Sequence, residues 1–333
     1  GTNRERSNCD LILESELMPL NSTTEQSSGL ELLPIIKGLR DARQRALIAR
    51  RPDLGPPKLP SKSALKDVVE SLATALYPNR LGNGDVTDES IDFFVGNALD
   101  GALRQLSNQI MRELRFRIEQ EGKADLERNA LIVTAQELVS RFASALPRIR
   151  EYLDTDLQAA FDGDPAAHSV DEVLVCYPGI AAVINHRLAH ELYQLGLPLL
   201  ARIISEIAHS ATGIDIHPGA RIGKSFFIDH GTGVVIGETC IIGERVRLYQ
   251  AVTLGAKRFP TDENGVLLKG NERHPILEDD VVVYAGATIL GRITIGKGST
   301  IGGNVWVTRS VRPNSNVTQL APRAELFELG AGI

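Results

Sequence analysis

The sequence predicts an α+β fold, an N-terminal α-helical bundle followed by a left-handed parallel β-helix of hexapeptide repeats with an extruded loop. Three observations carry this reading. Apolar residues first recur at intervals of three and four, as in Leu99, Leu103, Leu106 and Ile110, then Leu138, Phe142 and Leu146, which makes one face of a helix. After Thr212 they recur every six: Ile216, Ile222, Ile228, Val234, Cys240, Val246 and Val252, then Leu277, Val283, Ile289, Ile295, Ile301 and Val307, thirteen apolar residues in thirteen places. That period fits neither a helix nor an alternating strand. It fits a solenoid in which each hexad makes one short strand, the leading aliphatic points inward, and glycine permits the corner, as in Ile222-Gly223, Ile295-Gly296 and Ile301-Gly302. Lastly, the series breaks once. From Val252 to Leu277 is 25 residues, one more than four hexads, and the stretch from Lys257 to Pro275 lacks the pattern, so a loop leaves the solenoid there.

Four segments follow in order. Residues 1–60 are polar and interrupted by proline, as in Arg51-Pro-Asp-Leu-Gly-Pro-Pro57, and read as a partly disordered N-terminal segment with one helix at 30–50. Residues 61–212 form the helical domain, with Ser61, Asp88 and Ser169 as caps and Pro147, Pro178 and Pro198 as breaks or first-turn residues. Residues 213–312 form the β-helix, and residues 313–333 leave it as a C-terminal tail.

Composition narrows the function. A net charge of −6 argues against nucleic acid as the main partner, which calls for a basic face. No stretch reaches the ~18 uninterrupted apolar residues of a membrane span, so no membrane partner is expected and the location expected is cytoplasmic. Cys9, Cys176 and Cys240 are odd in number and include no CxxC pair, so neither a disulfide framework nor a cysteine zinc site is present, and no metal is expected. Cys240 occupies an inward hexad position as a core filler.

Five segments carry a resemblance: Asp215-Ile-His-Pro218, Ile228-Asp-His-Gly-Thr-Gly233, Ile236-Gly-Glu-Thr239, Val252-Thr-Leu-Gly255 and Arg273-His-Pro275. Over about residues 160–312 the chain resembles the serine O-acetyltransferases, the hexapeptide-repeat acyltransferases that begin cysteine biosynthesis. The resemblance implies L-serine and the co-substrate acetyl-CoA, with no bound cofactor. It also implies cysteine as feedback inhibitor and a homotrimer or dimer of trimers with sites between subunits. Transfer from a thioester to a hydroxyl requires removal of the hydroxyl proton, and imidazole titrates near neutrality. His230 is the base by that chemistry and by the resemblance, with Asp215, fifteen residues earlier, as its orienter across a corner. Arg273 suits the carboxylate of serine, since its planar fork matches one. The resemblance places His274 with Arg273 at the substrate, adds Asp229 and Asp164 for the amine, and sets Glu238 nearby.

Coenzyme A is expected along the groove between solenoids where side chains are small, at Ala285, Gly286 and Gly303, with Lys257 and Lys269 of the loop for its phosphates. The loop exceeds the shorter form of the family by about nine residues within 256–272. His186 and His190 are four apart without the glutamate of a zincin motif and read as bundle residues, and His217 at a coil start reads as structural or as part of the site. Ile333, after Gly330-Ala-Gly332, is the expected anchor for O-acetylserine sulfhydrylase, as in relatives with a similar ending. Other readings stay open: a different hydroxyl acceptor such as homoserine or a sugar, a zinc lyase on the same fold, or a non-catalytic scaffold. The lyase needs three converging histidines, two of them five apart, and the solenoid holds only His217, His230 and His274.

Overall fold

The computed structural model describes residues 32–50, 58–82, 86–121, 128–258, 261–263, 265–268 and 270–319. The chain divides into two units, Gly1–Pro56 and Pro57–Ile333. In the first, helix α1 (Leu32–Arg50) exposes Leu32, Leu33, Ile35, Ile36 and Leu39.

The second unit begins with the helices α2 (Lys62–Leu76), α3 (Pro78–Leu81), α4 (Ile91–Gln120), α5 (Arg128–Gly163), α6 (Val170–Cys176), α7 (Pro178–Gln194) and α8 (Pro198–Thr212). Ser61 and Ser169 cap α2 and α6 by accepting from the N–H groups of Ala64 and Glu172. Pro178 and Pro198 take first-turn positions, where a missing N–H costs nothing. Two expectations fail here. Ser90, not Asp88, stands before α4, and α5 runs through Pro147 without a break, because Leu146, Ile149 and Leu153 bury that stretch against the bundle. Glu113 of α4 is buried and accepts from the N–H groups of Leu199 and Leu200, which closes the first turn of α8.

After Thr212 the described residues hold fourteen strands of two or three residues: β1 (Asp215–Ile216), β2 (Arg221–Ile222), β3 (Phe227–Ile228), β4 (Val235–Ile236), β5 (Ile241–Ile242), β6 (Arg247–Leu248), β7 (Thr253–Gly255), β8 (Ile276–Leu277), β9 (Val282–Val283), β10 (Thr288–Leu290), β11 (Thr294–Ile295), β12 (Thr300–Ile301), β13 (Trp306–Val307) and β14 (Asn316–Val317). Every third strand pairs in parallel, giving three sheets ordered β1-β4-β7-β10-β13, β2-β5-β8-β11 and β3-β6-β9-β12-β14. This arrangement is consistent with the expected left-handed hexapeptide β-helix.

The registers measure each coil. Val235 pairs with Thr253 and Thr288 with Trp306, 18 residues apart in each case. Thr253 pairs with Thr288, 35 residues on, so the coil holding the loop carries 35 − 18 = 17 extra residues between β7 and β8. Asp215 pairs with Val235, 20 residues on, so the first coil is two residues too long. The surplus lies at Asp229–Gly233, because the inward residues Ile228 and Ile236 are eight apart. The six-residue count passes over this slip. Val234, Cys240, Val246 and Val252 are themselves fully buried, two positions ahead of the inward Ile236, Ile242, Leu248 and Leu254, so either frame reads as apolar. The solenoid also runs past residue 312, since β14 pairs with β12.

Ladder bonds run from an N–H of one coil to a carbonyl of the next, as from Arg221 to Cys240 and Gly223 to Ile242. The carbonyls of Gly213 and Lys224 in the first coil accept from Gly233 and Arg245 of the second, whereas those of Pro218, Ile222 and Gly223 face the helices, which must supply donors. Arg187 of α7 donates to the carbonyls of Ile222 and Gly223 while gripping buried Asp156 of α5 at 2.5 and 2.8 Å. Asp156 also accepts from the N–H of Phe226. His190 Nδ1 donates to the carbonyl of Pro218 at 2.7 Å. At Gly179 the backbone of α7 meets the Ile228 carbonyl so closely that no Cβ fits. Arg187→Ala should lower unfolding free energy by about 3–5 kcal/mol, because it strands a buried carboxylate, whereas Arg187→Met with Asp156→Leu should cost much less; urea unfolding reads both.

Candidate active site

Two groups of polar side chains form at opposite ends of strand β4. The first gathers at the turn before it. His230 has φ of 59°, a left-handed conformation uncommon outside glycine, and its ring is 71% exposed. The two-residue surplus and the positive φ of Gly231 and Gly233 give this turn its width. Asp229 Oδ1 lies 3.9 Å from His230 Nε2, and Asp229 Oδ2 accepts from Arg247 Nη2 at 2.6 Å. Arg247 lies over the rings of Phe227 and Tyr249, and Tyr249 stacks on Tyr284 with centroids 4.9 Å apart. Asp164 arrives just after α5. Its Oδ2 accepts from Tyr177 Oη at 2.6 Å and its Oδ1 from the N–H of Ala166, and these bonds hold the carboxyl below the usual carboxylate range. The same bond pushes the Tyr177 phenol up to about 12.

The second group follows β4 and receives the end of the extruded loop. Glu238 accepts from Arg273 Nη2 at 2.6 Å and from Tyr193 Oη of α7 at 3.0 Å. Burial pushes the Glu238 carboxyl up, but those two bonds outweigh it and leave it below its ordinary value. His274 is buried, and its ring lies so close over Gly237 that no Cβ fits there. Its Nδ1 receives the Thr239 N–H at 3.1 Å and stands 2.9 Å from Thr239 Oγ1. Burial first, and the neighbouring Arg273 cation second, lower its pKa to about 4. His217 Nδ1 accepts from the N–H of Gly219, and burial lowers its pKa as well.

Residues 274–309 match the bacterial transferase hexapeptide family of six repeats. The plasmid serine acetyltransferase of Synechococcus elongatus is 58% identical over 275 residues, 83% of this chain and 86% of that protein. The serine acetyltransferase of Bacillus subtilis is 46% identical over 171 residues, 51% of this chain and 75% of that one. The crystal structure of Entamoeba histolytica serine acetyltransferase 1, in complex with L-cysteine, superposes with a TM-score of 0.66 at 37% identity, covering 79% of this chain and 88% of that one. The chain belongs to the serine acetyltransferase family.

Of the residues expected in a serine acetyltransferase site, the structure brings together His230, Asp229 and Asp164 in one group and Arg273, His274 and Glu238 in the other. No ion pair joins Asp215 to His230. Asp215 starts β1 on the outer face of the first sheet, where its carboxylate lies within 4.8 Å of the ligand atoms of Glu206 and His209. Ala285, Gly286 and Gly303 stack at the corner above Tyr249: Gly286 donates to the Gln250 carbonyl, and a Cβ on Gly303 would stand 3.2 Å from the Ala285 carbonyl. Lys257 packs beside Gly291, while Lys269 and Ile333 lie outside the described residues. Cys240 is buried and its thiol is pushed up to about 12, as a core filler requires. A cavity of about 340 Å³ between α5, α7 and the second sheet contains none of the expected site residues.

Sequence reasoning missed Tyr177, Arg247 and Thr239. Thr239 stood in a quoted motif, but the partners of Tyr177 and Arg247 are 13 and 18 residues away with no periodic signal. Tyr177→Phe removes the hydroxyl that holds Asp164, so the Asp164 carboxyl should titrate at higher pH in that variant; a carboxyl-carbon NMR titration of both proteins measures the change.

Proposed function

We propose that this chain makes O-acetylserine and coenzyme A from L-serine and acetyl-CoA by direct transfer, with His230 as general base. The observation that carries this reading is an exposed imidazole beside two carboxylates that Tyr177 and Arg247 already hold in place. Two fixed carboxylates suit the ammonium group of an amino acid, and an adjacent base then meets its hydroxyl. His230 takes the proton from the serine Oγ as the Oγ–C bond forms. The tetrahedral adduct collapses with cleavage of the C–S bond, and the same proton passes to the departing sulfur. The exposed His230 ring changes rotamer on the ps–ns scale, and in the loaded site it turns from Asp229 to Asp215, which fixes its tautomer.

Strand β4 separates His230 from Arg273 and His274, so in this reading a second copy completes each site, as in a homotrimer. Ala285, Gly286 and Gly303 leave backbone open at the same corner as His230 and receive the pantetheine arm, with Lys257 toward the phosphates. His230→Ala should lower kcat by ~10²–10⁴ with fold and assembly intact, since it removes the base from a turn outside the core. Asp215→Asn should cost less, and it should cost more than Asp229→Asn in kcat at saturating serine. Thiol release from acetyl-CoA measures all three, and near-normal turnover by His230→Ala would remove the assignment.

The same carboxylate and amine contacts accept cysteine, which differs from serine only in its sulfur; the Entamoeba relative is known in complex with L-cysteine. Inhibition by cysteine should therefore be competitive with serine. Arg273→Ala should weaken serine and cysteine together, by about tenfold or more for one charge-assisted bond, as read from KM and Ki. Loss of serine affinity with unchanged cysteine inhibition would show separate sites.

A further inference from the structure

We propose that Thr239 is a positioning residue that commits His274 to the tautomer protonated on Nε2, so that His274 meets the substrates as a neutral hydrogen-bond donor and never as a base. This inference rests on the acetyl-transfer reading only for what the donor meets, an oxygen that carries or develops negative charge.

The hydrogen-bond inventory of one hydroxyl forces the assignment. Thr239 Oγ1 accepts from the backbone N–H of Arg273 at 3.0 Å and from that of His274 at 3.1 Å. Both lone pairs are then occupied, and a threonine hydroxyl has one proton left to give. The remaining neighbour, at 2.9 Å, is His274 Nδ1, which also receives the backbone N–H of Thr239 at 3.1 Å. A nitrogen that accepts two hydrogen bonds carries no proton, so the ring proton sits on Nε2. Among the described residues Nε2 has no partner, so its N–H is left for a ligand.

The surroundings hold that state. Gly237 lies flat against the ring, and Arg292 Nη1 donates to the carbonyls of both Thr239 and His274, pinning the two residues to each other. The charged and titratable groups that face His274 are Arg273, Glu238, His217 and Arg292, with Tyr193 behind Glu238. Glu238 favours a second ring proton, but it is already paired with Arg273, and burial and the two arginines oppose one. A neutral donor stabilises negative charge on oxygen without taking part in proton transfer, which leaves abstraction to His230.

The test uses the full chain labelled with ¹⁵N-histidine, with His274 assigned by its absence from His274→Gln. The expected spectrum shows a bare Nδ1 and a protonated Nε2 from about pH 5 to 8; a proton on Nδ1, or a midpoint near the ordinary 6.5, overturns the proposal. Glutamine carries an N–H donor near the place of Nε2 and no base. His274→Gln should therefore keep most of kcat/KM while His274→Ala loses ~10²-fold, and equal losses overturn the donor role. Thr239→Val should release the tautomer and lower kcat/KM about tenfold, with Thr239→Ser restoring both; an unchanged tautomer in Thr239→Val overturns the role of Thr239. If the wild-type chain released no thiol from acetyl-CoA with serine, the acetyl-transfer reading would fall, while the spectrum would still decide the tautomer.

Discussion

Strands of two residues cannot hold themselves, so the β-helix exists only because each coil lies on another. Most strand N–H groups bond to a carbonyl of the next coil, which leaves first-coil carbonyls such as those of Ile222 and Gly223 without a strand partner. A solenoid needs a cap at such an end. Here the cap is a buried ion pair: Arg187 satisfies Ile222 and Gly223, and Asp156 fixes Arg187 and accepts from Phe226. A buried pair of this kind adds little net stability when compared with an apolar substitute, but losing one partner leaves an uncompensated charge. Its role is to fix register, since the fork of Arg187 meets two successive carbonyls only when α7 and the first coil are aligned. His190, which resembled half of a metal motif, belongs to the same cap through the Pro218 carbonyl.

That alignment sets the candidate site. Asp164 follows α5 and Tyr177 precedes α7, so both sit on the helical side, whereas Asp229, His230 and Arg247 belong to the coils. Docking the first coil against α5 and α7 brings a helical carboxylate within reach of a solenoid turn. At the turn itself the backbone of His230 adopts a conformation that costs of the order of 1–3 kcal/mol for a residue with a side chain, and it persists because coils on either side fix the ends of the turn. Such a position holds an exposed imidazole at a constant place without burying it.

The fold was legible because its signals are periodic. The helical spacing located the bundle, and hexads located the solenoid and its loop. What escaped had the same cause in reverse. The two-residue slip between Ile228 and Ile236 hid because Val234 and the residues in step with it are as buried as the true inward positions. Pro147 looked like a break because local propensity cannot see the packing of Leu146 and Ile149. The resemblance gave the acids and the imidazoles of the site, but the groups that tune them, Tyr177, Arg247 and Thr239, act through contacts across 13 to 35 residues of chain. No local pattern encodes a partner at that distance.

Two histidines of one chemical type are thereby given different surroundings. An imidazole open to water gains a proton at little cost in solvation, whereas one taken out of water must pay to become a cation unless an acid offsets the cost. His230 is 71% exposed with a carboxylate 3.9 Å away, and His274 is 7% exposed between two arginines, its one acidic neighbour already paired. Acid, base and donor roles divide in this way wherever a fold pushes like groups into unlike dielectrics. In this chain the difference in surroundings follows from placement alone: one histidine sits in a turn widened by a surplus of two residues, and the other lies where a returning loop presses its ring onto a glycine.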